Sequence, residues 1–171
     1  MDTDAWIRAP HYLRSRASGL IGAAHLGPAL AVTLLAMTYG IAVDLEPAQV
    51  ALVTGAVLAG QLSIGWGNDL VDADRDRAVG RRDKPLADGS LPLSTARVAC
   101  GLAIVATVVL SLACGIEAGL VHIGCVAAGW AYNLGIKSTV FSWLPFAVAF
   151  GGLPVFVVLA GPGTLYPPWW V

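Results

Sequence analysis

Four aspartates and one asparagine lie within nine residues near the middle of the chain: Asn68, Asp69, Asp72, Asp74 and Asp76. If this stretch is helical, Asp69, Asp72 and Asp76 share one face, Asn68 joins it, and Asp74 points elsewhere. Carboxylate and amide oxygens suit Mg²⁺, which usually keeps water and phosphate oxygens in its coordination shell. The pattern predicts a Mg²⁺ site that binds a diphosphate. The predicted metal ligands are Asn68, Asp69, Asp72 and Asp76, and the three aspartates among them are the predicted catalytic residues.

A calcium-binding loop and a purely topological role are the alternatives to a Mg²⁺ site. A calcium-binding loop needs a glycine where Arg77 stands and a glutamate where Asp83 stands. Charges that only set membrane orientation would be basic, because acidic residues contribute little to orientation. Neither alternative accounts for four aspartates in this spacing.

Basic residues follow the aspartates and recur later in the chain. Arg81, Arg82 and Lys84 are candidates for binding terminal phosphate oxygens. Tyr132 and Lys137 end a later apolar segment and are expected to reach the same phosphates. The alternative for Arg82 is a topology charge or a contact with anionic lipid, and for Lys137 it is snorkelling to the membrane surface.

Long apolar blocks surround these polar stretches. The chain is 57% hydrophobic and 12% charged, whereas soluble domains carry about 25% charged residues. Each block is long enough to cross a bilayer, and backbone in lipid must be helical or form a closed barrel. The sequence predicts one all-α membrane domain over 1–171, a polytopic transmembrane helical bundle of about five spans: 19–43, 48–70, 92–115, 118–136 and 140–160.

Charge asymmetry orients this bundle. All ten basic residues fall on one side of the predicted spans, while the opposite connections carry only Asp44, Glu46 and Glu117. The positive-inside rule therefore places the N-terminus and an Asp-rich loop, 68–91, in the cytoplasm of a multi-pass cell-membrane protein. Residues 1–17 are expected to form an interfacial helix, and Trp169 and Trp170 an aromatic belt.

Two histidines lie within the predicted spans, and neither is counted among the site residues. His25 lies near the start of the first span and could help line a cavity, although such a residue is more often interfacial. His122 is expected near the opposite membrane face in a structural role.

Three segments resemble the UbiA-type membrane prenyltransferases: the Asp-rich 68–76, the basic 81–89 and the Tyr-to-Lys element 132–137. The last has four residues between Tyr132 and Lys137, where the family usually has three. The resemblance implies transfer of a prenyl group from an isoprenyl diphosphate to an acceptor, often aromatic or a quinone or lipid precursor, with Mg²⁺. It also implies that Asn68, Arg81, Lys84, Tyr132 and Lys137 bind the substrate.

The resemblance is to the N-terminal part of a fold with nine helices and a second Asp-rich motif. No second motif is present in these residues, so we expect a fragment, a truncated product, or a half that assembles with another chain. A non-catalytic paralogue that binds prenyl diphosphate is therefore an alternative. A CDP-alcohol phosphotransferase is a remote one, because Asp88-Gly89 is followed by Ser-Leu-Pro instead of that family's Ala-Arg.

The predicted orientation can be tested by labelling. A cysteine at position 78, in Ala78→Cys, should react only with thiol reagents that reach the cytoplasm. The parent chain serves as the control for labelling at its own cysteines. Labelling of intact cells by an impermeant reagent at this position would contradict the orientation.

Overall fold

The computed structural model describes residues 16–162, and every regular element within this range is helical, as predicted. The predictions for residues 1–15 and for Trp169 and Trp170 lie outside the described residues. The elements follow one another in this order: α1 Arg16–Ala23, α2 Leu26–Ala42, α3 Pro47–Ala78, α4 Leu93–Ala113, α5 Ile116–Asn133, a 3₁₀ turn Ile136–Ser138, and α6 Leu144–Leu159.

The segment predicted as one span over 19–43 is bent. Helices α1 and α2 meet at an angle of 66° across a short break. Pro28 explains the break, because a continuous helix would need its missing N–H to bond the carbonyl of Ala24. His25 takes the turn with a left-handed φ of 49°. The bend turns the His25 side chain toward the acidic end of α3.

Helix α3 organises the fold. Its 32 residues span about 48 Å, more than the roughly 30 Å of bilayer hydrocarbon. A capping box between Glu46 and Gln49 begins it. The helix continues through the aspartates to Ala78, and Gly80 follows in a left-handed conformation. The loop predicted over 68–91 therefore starts only after Ala78, which is a correction to its first boundary.

The other helices pack around α3. Helices α2, α4 and α5 contact it, and α6 packs mainly against α5. Within residues 16–162, α3 and α4 are long and apolar enough to cross a membrane, and the bent α1–α2 pair would be a third span. Helix α6 is apolar but has 16 residues. Length and composition thus support two or three spans, and the predicted number of five stays a prediction.

A small apolar cluster anchors the loop after α3. Leu86 and Leu91 are each 1% exposed and pack with Ala23, Ala73 and Ala96. In addition, the guanidinium of Arg77 donates to the backbone carbonyl of Leu86 at 3.1 Å. The loop is therefore held against α3, and this fixes the position of Lys84.

At Gly65, the backbone of α3 lies close to the break between α1 and α2. A Cβ at Gly65 would lie 2.7 Å from the backbone oxygen of Ala24, whereas a Cβ at Gly101 would meet nothing within 4 Å. We expect Gly65→Ala to destabilise the protein by about 1–3 kcal/mol. Gly101→Ala should be neutral or slightly stabilising, because alanine favours helix.

Thermal unfolding of both variants in detergent, followed by circular dichroism, checks this prediction. Equal melting temperatures for Gly65→Ala and Gly101→Ala would show that the contact at the break does not constrain the fold.

Candidate functional site

The predicted carboxylate face exists. Asp69, Asp72 and Asp76 are 2%, 9% and 4% exposed on one face of α3. Asp74 falls off that face, with a side chain 98% exposed and paired with Arg77 at 2.9 Å. Helical continuity through this stretch therefore separates three buried carboxylates from a solvated fourth.

Asp69 is held by residues from two distant segments. Its Oδ1 lies 2.5 Å from Nζ of Lys84 and 2.9 Å from Nε2 of His25. Nζ of Lys84 is also 3.2 Å from Nε2 of His25, so the three groups form one cluster. The other oxygen, Oδ2 of Asp69, is buried and has no hydrogen-bond partner among the described residues.

Asp72 is paired with a lysine from another segment, and Asp76 has a longer contact with an arginine of α3 itself. Nζ of Lys137 lies 2.6 Å from Oδ2 of Asp72. Lys137 reaches it from the 3₁₀ turn after α5, and the turn follows Gly135, whose φ is 148°. Arg75 adds contacts of 3.3 Å to Asp72 and 3.9 Å to Asp76. The structure thus brings Lys84 and Lys137 together at the acidic face.

Two of the predicted phosphate ligands lie near the carboxylates, but their side chains make other contacts. Arg81 makes a two-pronged ion pair with Asp83, at 2.8 Å and 2.7 Å. The hydrogen bond from Arg81 holds the pKa of the Asp83 carboxyl at about 2. Tyr132 packs its ring edge-on against Phe146, with centroids 5.0 Å apart. Arg81 is therefore committed to the loop, and Tyr132 belongs to the wall of a cavity.

Asn133 is a site residue that sequence reasoning missed. Its Oδ1 accepts a hydrogen bond of 3.0 Å from Asn68, and its own amide donates to the backbone carbonyl of Ile64 at 2.9 Å. This pair fixes the side chain of Asn68 and joins the end of α5 to α3. The available signal was a second carboxamide directly after Tyr132 at the end of an apolar helix.

A cavity of about 360 Å³ runs from this site into the bundle. Helices α2, α3, α5 and α6 enclose it, and His25, Asn68, Tyr132 and Asn133 line the end near the carboxylates. Most of the remaining wall is apolar. The arrangement offers a charged site for a polyanion that continues directly into a space for a hydrocarbon chain.

The residues present fit a divalent cation in part. Within residues 16–162, no three His, Cys, Asp or Glu side chains converge closely enough to form a cation cage by themselves. Mg²⁺ commonly binds through one or two carboxylates and completes its shell with water and substrate phosphate. The buried, partnerless Oδ2 of Asp69 is an oxygen suited to such a ligand.

Comparison with known proteins identifies the family. The sequence pattern of the UbiA prenyltransferase family matches residues 27–171. The chain belongs to the UbiA prenyltransferase family. No curated protein matches the sequence significantly.

One solved structure shares the fold. It is described as giving "structural and mechanistic insights into the biosynthesis of Digeranylgeranylglyceryl phosphate synthase in membranes", with a TM-score of 0.77 at 17% sequence identity. The match covers 85% of this chain and 53% of that one, so this chain spans about half the length of the structure it matches. The chain is therefore a multi-pass, all-helical membrane protein of this family.

The amide pair gives a prediction about stability. Asn133→Ala removes both hydrogen bonds and leaves the side-chain N–H of Asn68 without its acceptor, so we expect a loss of about 1–3 kcal/mol in the free energy of unfolding. Leu134→Ala is the matched control, because Leu134 is 68% exposed. Denaturant or thermal unfolding in detergent measures the difference. If both variants unfold alike, the amide pair does not contribute to the position of α5.

Proposed function

We propose that the carboxylate face binds the diphosphate of an isoprenyl diphosphate with Mg²⁺, and that the prenyl group is transferred to an acceptor. The observation that carries this proposal is a cluster of three buried carboxylates and two lysines next to His25 and Asn68, which line one end of an apolar cavity. Membership of the prenyltransferase family supports the reaction class. The acceptor, proposed to be aromatic or a quinone or lipid precursor, and the need for Mg²⁺ are parts of the proposal.

Asp69, Asp72 and Asp76, with Asn68, are the residues that would hold the metal. When bound there, Mg²⁺ supplies positive charge that stabilises the departing diphosphate. The lysines serve the same end, because an ammonium group binds phosphate oxygens as a point charge. Lys84 and Lys137 now pair with the aspartates that would bind metal, and we propose that they turn to the phosphate oxygens when substrate arrives.

The proposed reaction breaks the bond between the allylic carbon and the diphosphate oxygen. The electron pair of this bond leaves with the diphosphate. A carbon of the acceptor then donates electrons to the allylic carbon and afterwards loses its proton. The protein contributes by excluding water from the allylic carbon. The cavity wall next to the site consists mostly of apolar side chains and includes the rings of Tyr132 and Phe146. Asn68, fixed by Asn133, orients the diphosphate end.

The side of the membrane also belongs to the proposal. The basic residues of the loop after α3 favour a cytoplasmic site, which gives access to soluble diphosphates. A second candidate is binding of prenyl diphosphate without turnover. The same carboxylates and lysines would serve it, and an assay of prenyl transfer beside the binding measurement separates the two candidates.

The metal and diphosphate assignment is tested with a pair of aspartates. Asp72→Ala should abolish Mg²⁺-dependent binding of geranylgeranyl diphosphate, because it removes a buried carboxylate of the face. Asp74→Ala should bind like the parent, because its side chain is 98% exposed and off the face. Binding in detergent is measured by titration with Mg²⁺ and again with chelator.

Either of two results would contradict the assignment. One is binding that neither Asp72→Ala nor chelator changes, and the other is an equal loss in both variants. The melting temperature of each variant separates a loss of binding from a loss of fold.

A further inference from the structure

His122 lies at the far end of the cavity and is not used by the proposed reaction. Its ring is 3% exposed and is stacked on Phe156, with centroids 4.5 Å apart. Its Nδ1 is 2.7 Å from Oγ of Ser111. The stacking on Phe156 and the hydrogen bond to Ser111 therefore fix the orientation of the His122 ring relative to the cavity.

The protonation of His122 follows from its neighbours. The hydroxyl of Ser111 donates its proton to the backbone carbonyl of Thr107 at 2.5 Å, and that carbonyl can only accept. The hydroxyl oxygen is then available only as an acceptor for Nδ1, so Nδ1 carries a proton and donates to it. In a neutral imidazole the other nitrogen, Nε2, must be an acceptor.

Nε2 of His122 is an acceptor without a partner in the cavity wall. His122 is one of the residues that line the cavity, and within residues 16–162 no side chain or backbone group bonds to Nε2. Nε2 lies beside Gly60 of α3, where a Cβ would be 3.5 Å from it. A fixed polar group thus stands in a wall that is otherwise mostly apolar.

The distance of His122 from the carboxylate end of the cavity determines which part of a bound prenyl chain would lie beside it. His122 precedes Asn133 by eleven residues on α5, which corresponds to about 16 Å along the helix. On the facing α3, Gly60 lies beside Nε2 and is eight residues from Asn68, which corresponds to about 12 Å. Gln61, the next residue, is a second polar residue of the wall at a similar depth, but its side chain is not fixed by any such contact.

We infer that His122 sets the length of the prenyl chain that the cavity accepts, an inference that rests on the proposed function. A chain that ends before His122 leaves Nε2 hydrated. A chain that reaches it covers an acceptor with hydrocarbon, and the lost hydrogen bond weakens binding. A long chain with a terminal hydroxyl replaces that hydrogen bond. The far end of the cavity is therefore a subsite for water or a hydroxyl group.

The test compares two prenyl diphosphates in the parent chain and in His122→Leu. Geranyl diphosphate is the short probe and geranylgeranyl diphosphate the long one. We expect His122→Leu to improve the affinity for the long probe relative to the short one by about 5- to 100-fold. Gln61→Leu is the matched control, since Gln61 lies at a similar depth but no contact fixes its side chain, and it should leave the ratio of the two affinities unchanged.

A second measurement needs no variant and so does not depend on the folding of His122→Leu. In the parent chain, geranylgeranyl diphosphate with a hydroxyl on its terminal carbon should bind more tightly than the unmodified compound. Weaker or equal binding of the hydroxylated probe would overturn the inference.

The outcomes separate this inference from the proposed function. If neither probe binds in the presence of Mg²⁺, the proposed function fails and the inference fails with it. If both probes bind and binding requires Asp72, but His122→Leu leaves their affinity ratio unchanged, only the inference is overturned.

Discussion

Three carboxylates on one face of a single helix are the constraint on which the rest of this structure depends. Burying a charge is costly unless it is paired. Asp69 and Asp72 have partners from three segments far apart in sequence: His25 at the break after α1, Lys84 in the loop after α3, and Lys137 in the turn after α5. Asp76 contacts Arg75 of α3 itself at 3.9 Å. Neutralising the acidic face therefore requires that these segments converge on it.

The same pairing links stability to function. Lys84 and Lys137 are 15% and 17% exposed, so they lie at the edge of the site and are not locked inside it. If a metal ion binds the carboxylates and a diphosphate binds the lysines, the lysine–aspartate pairs are replaced by metal–carboxylate and lysine–phosphate pairs. Among residues 16–162 no group bonds to Oδ2 of Asp69, so this oxygen can accept a ligand while Oδ1 keeps its partners. Loop anchoring by Leu86 and the amide pair of Asn68 and Asn133 keep the partners in reach during this exchange.

Much of this arrangement could be predicted from the sequence, because it depends on local periodicity. The all-helical fold and the separation of Asp74 from its neighbours follow from apolar block length and helical spacing. Features that depend on tertiary contacts could not be predicted. Arg81 binds Asp83 only because the loop turns back on itself, and Asn133 gains its role only when α5 meets α3. Pro28 carried a local signal for the break before α2 that the span prediction ignored.

The central claim is that the carboxylate face holds the metal and the diphosphate together. Its most direct test is an experimental structure of the protein with inorganic diphosphate and Mn²⁺, located by anomalous scattering, in place of Mg²⁺. The account predicts a metal ion with oxygen ligands from Asp69, Asp72 or Asp76, and diphosphate oxygens within hydrogen-bond distance of Lys84 and Lys137. Metal and diphosphate bound away from this face, with both lysines still paired to aspartates, would contradict it.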